Sequence, residues 1–274
     1  MSVAFSLTDC VALITGASSG LGAEFARQLA PRATGFILAA RSEGALQDLA
    51  TRLKQENPAL NVTVCPCDLS TEAGRATLWA TIDQQNVRPT LLINNAGLGD
   101  YGAFMKAEEH RICQQIEVNI TALTLLTHAF VKRVQATAEK PAAVLNVSSL
   151  ASALPVPDLT VYAATKSYVS SFTEGLAIEL ASKHIRVTAV CPGPTPTNFG
   201  KVAQRENDID IDRGGQDVLL VPPSFVVSTA LQSLEDGKTL VFPSFRVTFA
   251  ALLFRILPRP LLRSILAFRH RRAQ

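Results

Sequence analysis

The sequence predicts an α/β fold in which a largely parallel, doubly wound sheet carries helices on both faces. Short apolar runs alternate along the chain with longer segments of helical periodicity, and each run is apolar almost throughout. Strands that are apolar on both faces are typical of parallel sheets covered by helices, and the crossover connections in such sheets are right-handed. The chain has 274 residues, of which 47% are hydrophobic, and this is enough to fill the core of one large domain.

Seven apolar runs are predicted as strands, and six intervening segments are predicted as helices. The predicted strands are residues 11–15, 35–40, 61–69, 90–97, 142–149, 185–193 and 239–244. The predicted helices are residues 19–29, 41–55, 71–85, 107–138, 163–182 and 223–235. In the second helix Leu46, Leu49 and Leu53 recur at the spacing of one helix face. The alternation continues without a repeat or a linker, so we expect a single dinucleotide-binding and catalytic domain over residues 1–244.

The C-terminal segment, residues 245–274, differs in composition from the rest of the chain. It contains seven arginines and no acidic residue. Pro258 and Pro260 divide it into two short amphipathic pieces, and its apolar run is shorter than the roughly 20 residues that span a bilayer. We expect a helical extension, not an independent domain. It packs on the body or on a second subunit, or it makes peripheral contact with a membrane through leucines, phenylalanines and arginines.

Charge and cysteine content exclude several classes of function. The net charge of +3 gives no indication of a nucleic-acid partner. The five cysteines are scattered and the four histidines do not cluster with them, so we expect no metal site. Reduced thiols and an N-terminus without a signal-peptide pattern are typical of a cytoplasmic protein, with peripheral membrane association through the C-terminal segment left open.

A glycine-rich turn follows the first predicted strand and opens the first predicted helix. It reads TGASSGLG, with glycines at Gly16, Gly20 and Gly22. Glycine allows a tight turn and a close approach of the backbone to a ligand, and the N-terminus of a helix attracts a pyrophosphate. The alternative is a strand–helix turn that merely needs small residues. The position of this turn favours a dinucleotide site.

The end of the second predicted strand indicates which dinucleotide binds. An acidic residue there would hold a free ribose 2′-hydroxyl, whereas an arginine accommodates a 2′-phosphate. This sequence has Arg41 at that position and no acidic residue before Glu43. We therefore expect NADP(H) in preference to NAD(H), the alternative being a solvent-facing arginine at a helix start.

A tyrosine and a lysine follow the fifth predicted strand at helical spacing. Tyr162 and Lys166 are an i,i+4 pair and therefore share one helix face. An ammonium group beside a phenol can lower the phenol pKa from its usual value of about 10, which would allow proton exchange near neutral pH. The adjacent serines Ser148 and Ser149 precede this pair, and a serine and Tyr162 can each donate a hydrogen bond to a carbonyl oxygen that gains negative charge.

Four motifs together resemble those of the short-chain dehydrogenase/reductase family, in its shorter single-domain branch. They are TGASSGLG (15–22), NNAG (94–97), YAATK (162–166) and CPGPTPT (191–197), in the family's order. The resemblance covers residues 8–244, and the arginine-rich tail resembles that of a bacterial-type subgroup. It implies a Rossmann-like, mostly seven-stranded parallel sheet and hydride transfer between a nicotinamide and a carbonyl or alcohol carbon. We also expect a homo-dimer or a homo-tetramer.

The resemblance also assigns roles to individual residues. Asn119, Ser149, Tyr162 and Lys166 would be catalytic, with Asn119 at a helix kink from which a water relays protons to Lys166. Asp68 would contact the adenine. The full set expected at the cofactor is Gly16, Ser18, Ser19, Gly20, Leu21, Gly22, Arg41, Asp68, Leu69, Asn95, Ala96, Gly97, Tyr162, Lys166, Pro192, Gly193, Thr195 and Thr197.

The segments that follow the strand ends predict the character of the substrate. Residues 98–104 and 150–159 are mostly apolar and contain no lysine or arginine that could bind a carboxylate or a phosphate. The residues expected at the substrate are Leu98, Tyr101, Leu150, Ala151, Leu154 and Phe199. We expect a hydrophobic ketone or aldehyde and its alcohol, with residues 199–217 as a candidate lid.

Two other classes of function remain open at this point. A non-catalytic NADPH-binding or sensor protein could use the same fold, although the complete set of Ser149, Tyr162 and Lys166 argues against it. A lyase or an isomerase on this fold would cause no net change in nicotinamide absorbance.

Overall fold

Seven parallel strands form one sheet at the centre of the molecule, as the alternation of the sequence predicted. The computed structural model describes residues 5–205 and 219–273, and the strand order within them is β3-β2-β1-β4-β5-β6-β7. The strands are β1 (Val11–Thr15), β2 (Gly35–Ala40), β3 (Asn61–Pro66), β4 (Leu91–Asn94), β5 (Ala142–Val147), β6 (Ile185–Val190) and β7 (Leu240–Val241). This is the Rossmann-like, doubly wound arrangement.

Helices cover both faces of the sheet. They are α1 (Gly20–Leu29), α2 (Glu43–Glu56), α3 (Glu72–Gln84), α4 (Glu109–Ile116), α5 (Leu123–Arg133), α6 (Thr160–Leu180), α7 (Phe199–Ala203), α8 (Pro223–Glu235), α9 (Phe245–Ile256) and α10 (Arg259–Ala273). Short 3₁₀ turns occupy Phe104–Lys106, Leu150–Ala153 and Ala181–Lys183. Among the described residues, no helix combines the length and the apolarity needed to cross a bilayer.

The order of the strands places a crevice at the carboxyl ends of β1 and β4. Strand β1 pairs with β2 on one side and with β4 on the other, so the chain reverses its winding direction at this point. In open parallel sheets, ligands bind in the crevice that such a reversal leaves outside the strand ends. The sheet topology therefore selects one edge of the molecule for the functional site.

The alternation of side chains along each strand divides the core into two layers. Ile14 and Leu38 lie in the layer that also holds residues of α1, α2 and α8. Leu13 and Ile37, one position earlier on the same strands, lie in the opposite layer with residues of α3 and α5. Successive residues of a strand point to opposite faces, so each strand must be apolar throughout to serve both layers.

Several strands end before the apolar runs that predicted them. Residues 67–69, 95–97, 148–149 and 191–193 lie beyond the last paired positions of β3, β4, β5 and β6. Periodicity cannot locate these ends, because a strand that is apolar on both faces has no alternation that would mark where its pairing stops. The residues that leave the sheet are those that the motifs assigned to the cofactor and to catalysis.

The helix predicted over residues 107–138 has a more complex form. It consists of α4, a π-helical segment over Glu117–Ala122, and α5, which ends at Arg133. π-helical turns within a helix redirect side chains and are frequent at functional sites. The segment contains Asn119, where the family resemblance implied a kink. The candidate lid lies partly outside the described residues, including the sequence NDIDID at 207–212, and residues 199–203 form α7.

The C-terminal extension forms the two helices that Pro258 and Pro260 predicted. Val247 and Ala251 of α9 are 0% and 1% exposed and belong to the α1–α8 layer of the core. Leu262 of α10 is also buried. One face of the extension therefore packs on the body of this same chain.

Candidate active site

The turn between β1 and α1 has a backbone that glycine favours. Gly16 and Gly20 have φ angles of +63° and +56°, in the left-handed region that residues with a Cβ rarely adopt. A Cβ on Gly22 would lie 2.2 Å from the carbonyl oxygen of Gly16, so the helix can only start this close to the turn with a glycine there. Ser19 at the helix N-cap makes no side-chain capping bond, which leaves the first N–H groups of α1 without that partner.

The NNAG loop after β4 is tied to the glycine turn by hydrogen bonds. Thr15 Oγ1 accepts from the backbone N–H groups of Asn95 and Ala96, both at 3.0 Å. The Asn95 side chain donates to the carbonyl oxygens of Thr15 and Gly16 at 2.9 Å and 3.1 Å. These bonds fix the two loops side by side at the crevice. A Cβ on Gly97 would lie 3.4 Å from Lys166 Nζ, so this glycine keeps the space beside the lysine open.

Asn119 joins three elements of the site through its side chain. It accepts from the backbone N–H of Leu98 at 2.8 Å and donates to the Leu98 carbonyl oxygen at 2.9 Å. It also donates to Thr165 Oγ1 at 3.0 Å, one residue before Lys166. The Asn119 side chain is 1% exposed, Thr165 is buried and Leu98 is half-buried. The π-helical turn thereby holds the β4 loop against the first turns of α6.

The two adjacent serines after β5 have different surroundings. Ser148 is 2% exposed, bonds to the Lys166 carbonyl oxygen at 3.0 Å and lies 2.8 Å from Ser170 Oγ. Ser149 is half-buried, accepts from the N–H of Ala151 at 3.1 Å and lies close enough to Tyr162 to act on the pKa of its phenol. Of the two serines, only Ser149 therefore presents its hydroxyl beside the tyrosine.

Tyr162 and Lys166 lie on one face of α6 at the crevice, as the i,i+4 spacing predicted. Lys166 Nζ lies 5.6 Å from the Tyr162 ring centroid and donates to the Val147 carbonyl oxygen at 2.8 Å. Burial raises the pKa of Tyr162 to about 12, although the hydrogen bond with Ser149 acts in the opposite direction. Burial also lowers the pKa of Lys166 to about 8. The expectation that Lys166 lowers the phenol pKa is thus not met in this structure, because desolvation of both groups dominates.

The residues expected near the phosphates and the adenine surround the ends of β2, β3 and β6. Asp68 accepts from the N–H and the hydroxyl of Ser70 at 3.0 Å and 2.8 Å. Burial alone would raise the pKa of Asp68, but the Ser70 bonds and the nearby charge of Arg41 outweigh it and leave the pKa below its usual value. A Cβ on Gly20 would lie 3.5 Å from the Thr197 side chain, so the loop after β6 reaches the glycine turn.

The remaining residues expected at the cofactor lie on the same loops. Leu69 is buried, the Pro192 carbonyl oxygen accepts from the N–H of Leu150 at 2.7 Å, and Thr195 donates to the Gly193 carbonyl oxygen at 3.1 Å. Ser18 and Leu21 belong to the glycine turn and to the first turn of α1.

Apolar residues line the candidate substrate side, and one of the predicted contacts, Leu150, does not take part because it is buried in the core. The Phe199 ring lies 5.4 Å from the Tyr162 ring, centroid to centroid, and covers Gly99. Leu98, Tyr101, Ala151 and Leu154 are half-buried near the strand ends. Leu150 differs because the 3₁₀ turn directs it inward, where it is 7% exposed and packed in the core layer.

The sequence did not reveal an ion cluster that anchors the substrate-side loops. Asp100 is 8% exposed and receives two bonds from Arg205, at 3.0 Å and 2.7 Å. Arg111 of α4 pairs with the same carboxylate at 2.9 Å. These three residues come from separate segments of the chain, and no local pattern could have joined them.

A network of amides also crosses the sheet below the site. Asn94 of β4 donates to Asn146 of β5 at 2.9 Å and to Thr127 of α5 at 2.8 Å, and Asn146 donates to Thr173 of α6 at 2.9 Å. Two asparagines at the ends of adjacent apolar runs were the only sequence signal of this network.

The fold and the residues of the crevice agree with a known family. The family model described as short chain dehydrogenase matches residues 10–208. The chain belongs to the short-chain dehydrogenase/reductase family. It is accordingly an oxidoreductase that acts on CH–OH and C=O groups.

Individual members of the short-chain dehydrogenase/reductase family resemble the chain over most of its length. Dehydrogenase/reductase SDR family member 11 of Homo sapiens is 31% identical over 195 residues, which cover 70% of this chain and 75% of that protein. Sulfoacetaldehyde reductase 2 of Chromohalobacter salexigens is 32% identical over 235 residues, covering 85% of this chain and 86% of that protein. A short-chain dehydrogenase from Sphingobium yanoikuyae, solved in complex with NADPH, has a TM-score of 0.75 and 28% identity, covering 91% of this chain and 97% of the other.

Proposed function

We propose that the protein is an NADP(H)-dependent oxidoreductase that interconverts a hydrophobic ketone or aldehyde and its alcohol, with Tyr162 as the general acid and base. The observation that carries this proposal is the gathering of Ser149, Tyr162, Lys166 and Asn119 beside the glycine turn. Ser149 lies close enough to Tyr162 to lower its pKa, Lys166 lies on the same helix face as Tyr162, and Asn119 connects that helix to the β4 loop.

The crevice residues fit a nicotinamide dinucleotide. The left-handed glycines and the uncapped start of α1 suit a pyrophosphate, and the open space at Gly97 suits a ribose beside Lys166. Arg41 and Asp68 would hold the adenosine end, and Pro192, Gly193, Thr195 and Thr197 the nicotinamide end. When bound, the cofactor supplies or accepts the hydride at the reacting carbon.

The protein's own residues control the proton and the developing charge. In reduction, negative charge develops on the substrate oxygen, and Ser149 Oγ and Tyr162 Oη donate hydrogen bonds to it. Tyr162 Oη then releases its proton to that oxygen and is left as a phenolate, which the nearby Lys166 ammonium stabilises. In oxidation, the Tyr162 phenolate takes the hydroxyl proton. Asn119 keeps Leu98 and Thr165 in place around this pair.

Replacement of the tyrosine hydroxyl tests the catalytic assignment. Tyr162→Phe should lose at least about a hundredfold in turnover, because no other group can deliver the proton at that position. Tyr168→Phe is the matched control, since Tyr168 lies on the same helix and bonds instead to Thr124 at 2.9 Å. Oxidation of NADPH followed at the nicotinamide absorbance measures both. NADPH affinity measured by fluorescence should stay unchanged in Tyr162→Phe.

The outcome also separates the competing classes of function. A fully active Tyr162→Phe enzyme would refute the mechanism. Binding of NADPH without turnover of any carbonyl in a broad panel would instead support a sensor. Conversion of substrate without a change in nicotinamide absorbance would support a lyase or an isomerase.

Arg41 supports the preference for NADP(H). It is exposed directly after β2, where the 2′-phosphate of NADPH would lie, and it is close enough to Asp68 to influence the pKa of that carboxyl. Related proteins have been solved with either cofactor, for example a Burkholderia cenocepacia protein in complex with NADP at 25% identity and a TM-score of 0.74.

A pair of arginine substitutions tests the cofactor preference. Arg41→Ala should weaken NADPH binding by about tenfold or more and leave NADH binding unchanged, because only NADPH has the phosphate that the guanidinium can bind. Arg52→Ala, an exposed arginine on α2, is the control. Titration of each protein with both cofactors measures the effect. An unchanged ratio of the two affinities in Arg41→Ala would contradict the assignment.

The apolar walls of the crevice support a hydrophobic substrate. Phe199 covers the tyrosine, and the segments after β4 and β5 contribute Leu98, Ala151 and Leu154. The names of two similar proteins indicate long-chain or bulky carbonyl substrates. They are very-long-chain 3-oxoacyl-CoA reductase-A of Danio rerio, at 32% identity, and a bulky-bulky ketone specific alcohol dehydrogenase from Comamonas testosteroni, at 28%. A screen of hydrophobic ketones and acyl thioesters with NADPH would identify the substrate.

We further infer that the protein is a homo-dimer or a homo-tetramer. Tyr168 and Phe172 stack at 5.8 Å on the outer face of α6, and Leu125 of α5 is 46% exposed. Such aromatic and aliphatic residues on neighbouring helices suit a subunit contact. Sedimentation analysis would measure the number of subunits.

A further inference from the structure

We propose that the outward faces of α9 and α10 form a docking surface for a bilayer that contains anionic lipid. The inward face of α9 is occupied, because Val247 and Ala251 are buried in the core of the body, and Leu262 of α10 is also buried. The helices are therefore held in place by the protein itself, and their other faces remain available to a partner.

Each helix exposes a stripe of large apolar side chains. Phe245, Phe249 and Ile256 lie on α9 at i, i+4 and i+11, and Leu261, Ile265 and Phe268 lie on α10 at i, i+4 and i+7. These spacings place each set on one helix face. Phe245 is 83% exposed and Ile256 is 78% exposed. Contiguous exposed apolar surface of this kind marks an interaction site in a soluble domain.

The charge of the segment is complementary to anionic lipid. Residues 245–274 contain seven arginines and no acidic residue. Arg246 on α9 and Arg259, Arg263 and Arg271 on α10 are exposed as well. A helix that combines buried phenylalanines and leucines with flanking arginines lies in the interface plane, where the guanidinium groups meet lipid phosphates.

The same charge argues against a second copy of the chain as the partner on this face. A twofold contact sets the same surface of each subunit against itself. The arginines of one segment would then face those of the other, without an acidic residue in either segment to pair with them. Anionic headgroups would neutralise these charges and leave the apolar stripes in the hydrocarbon boundary.

The apolar surface extends beyond the two helices. His270 Nδ1 lies 3.2 Å from Asp158 Oδ2, and the Asp158 carbonyl oxygen accepts from the N–H of Gly102 at 2.9 Å. The end of α10 and the loop after β4 therefore meet at Asp158. The 3₁₀ turn of that loop exposes Phe104 and Met105, which are 61% and 98% exposed. These two side chains enlarge the area that a lipid surface would cover.

Flotation with vesicles tests the proposal on the full-length protein and requires no turnover. The vesicles are phosphatidylcholine alone and phosphatidylcholine with phosphatidylglycerol. The main variant is Ile256→Ser, and the matched control is Ile178→Ser, because Ile178 on α6 is 79% exposed against 78% for Ile256. A second variant, Arg259→Gln/Arg263→Gln, removes two exposed charges without touching an apolar side chain.

The expected result is binding to the anionic vesicles that falls with added salt. Ile256→Ser should weaken it by roughly tenfold and Ile178→Ser should leave it unchanged, since membrane affinity follows the apolar area buried. The arginine variant should lose most of the preference for anionic over neutral vesicles. Absence of binding by the full-length protein, or equal binding by the two serine variants, would overturn the proposal. A smaller oligomer of Ile256→Ser than of the wild-type protein in lipid-free solution would also overturn the proposal. That result would identify a second copy of the chain as the partner on this face.

Discussion

At the scale of single residues, burial has a larger effect on the candidate catalytic pair than their mutual charge interaction. Lys166 is buried and Tyr162 is half-buried, and desolvation disfavours the charged form of each group. The phenol is therefore held neutral, with its proton, as a general acid requires. The Lys166 ammonium has a pKa of about 8, so it titrates only a little above neutral pH. A positive charge brought nearby, as on an oxidised nicotinamide, would favour the phenolate.

The lowered pKa of Lys166 predicts how the stability of the cofactor-free protein changes with pH. The unfolded chain has the ordinary lysine pKa of 10.5 and the folded chain a pKa of about 8, so the unfolded chain binds more protons between these values. Stability should consequently rise with pH across this window, by about 3 kcal/mol from this residue. Urea unfolding of wild type and Lys166→Met at pH 7.5 and pH 10 measures the difference in slope. Equal slopes in the two proteins would contradict a lowered pKa.

The paired serines show what a sequence can decide about single residues. The sequence offers two adjacent serines, Ser148 and Ser149, and the family resemblance selected the second. The physical reason for the selection is visible only in the structure, where Ser148 Oγ bonds to the Lys166 carbonyl oxygen and to Ser170. Adjacent positions at the end of a strand point to opposite sides, but the sequence alone does not say which side contains α6.

At the scale of elements, the loops on the substrate side are held together by Asp100. This carboxylate follows β4, Arg111 belongs to α4, and Arg205 follows α7. Burial would raise the pKa of Asp100, but its bonds and charge interactions with Arg205 and Arg111 outweigh burial and lower it. Helix α7 ends just before Arg205, and it carries Phe199, whose ring lies against Tyr162. The ion cluster thus fixes the position of the aromatic ring that covers the candidate site.

Loss of the Asp100 charge should loosen this arrangement. Asp100→Asn should destabilise the protein by about 3 kcal/mol, because the charge of this buried carboxylate is lost and two partly buried arginines are left without their counter-charge. It should raise KM for a hydrophobic substrate more than it lowers kcat, since Phe199 is displaced but Tyr162 and Ser149 are not. Urea unfolding and steady-state kinetics measure these effects. Asp83→Asn is the control, because the Asp83–Arg133 pair is about half exposed and should contribute less than about 1 kcal/mol. Equal effects of the two substitutions would contradict the role of the cluster.

Elements and their order were predictable from the sequence, whereas their ends and their distant contacts were not. Apolar runs identified all seven strands because strands buried on both faces leave a strong local signal. The same signal extended too far at residues 67–69 and 191–193, since a strand that is apolar on both faces has no alternation that would mark where its pairing ends. The π-helical turn at Asn119 and the Asp100 cluster depend on partners far away in the sequence, and no local pattern encodes them.

At the scale of the whole molecule, we propose that residues 245–274 are an extension of the body and not a separate domain. Val247 of α9 is 0% exposed, and a Cβ on Gly193 would lie 3.1 Å from its side chain. Residues after β6, at the candidate site, are thus covered by the extension itself. The segment completes the α1–α8 layer of the core, so the body and the extension should unfold together.

Two substitutions on α9 distinguish the roles of its two faces. Val247→Ala removes two methyl groups from a buried position and should lower the free energy of unfolding by about 2 kcal/mol in a single transition. Leu252→Ala, at a position that is 50% exposed on the same helix, should change it by less than about 0.5 kcal/mol. Urea unfolding followed by circular dichroism and by fluorescence of Trp79 measures both the size and the cooperativity of the change. A separate, earlier transition in Val247→Ala would mean that the extension folds independently.

If one face of α9 packs on the body and the other meets lipid, Val247→Ala should alter stability without altering vesicle binding. Ile256→Ser should alter vesicle binding without altering stability.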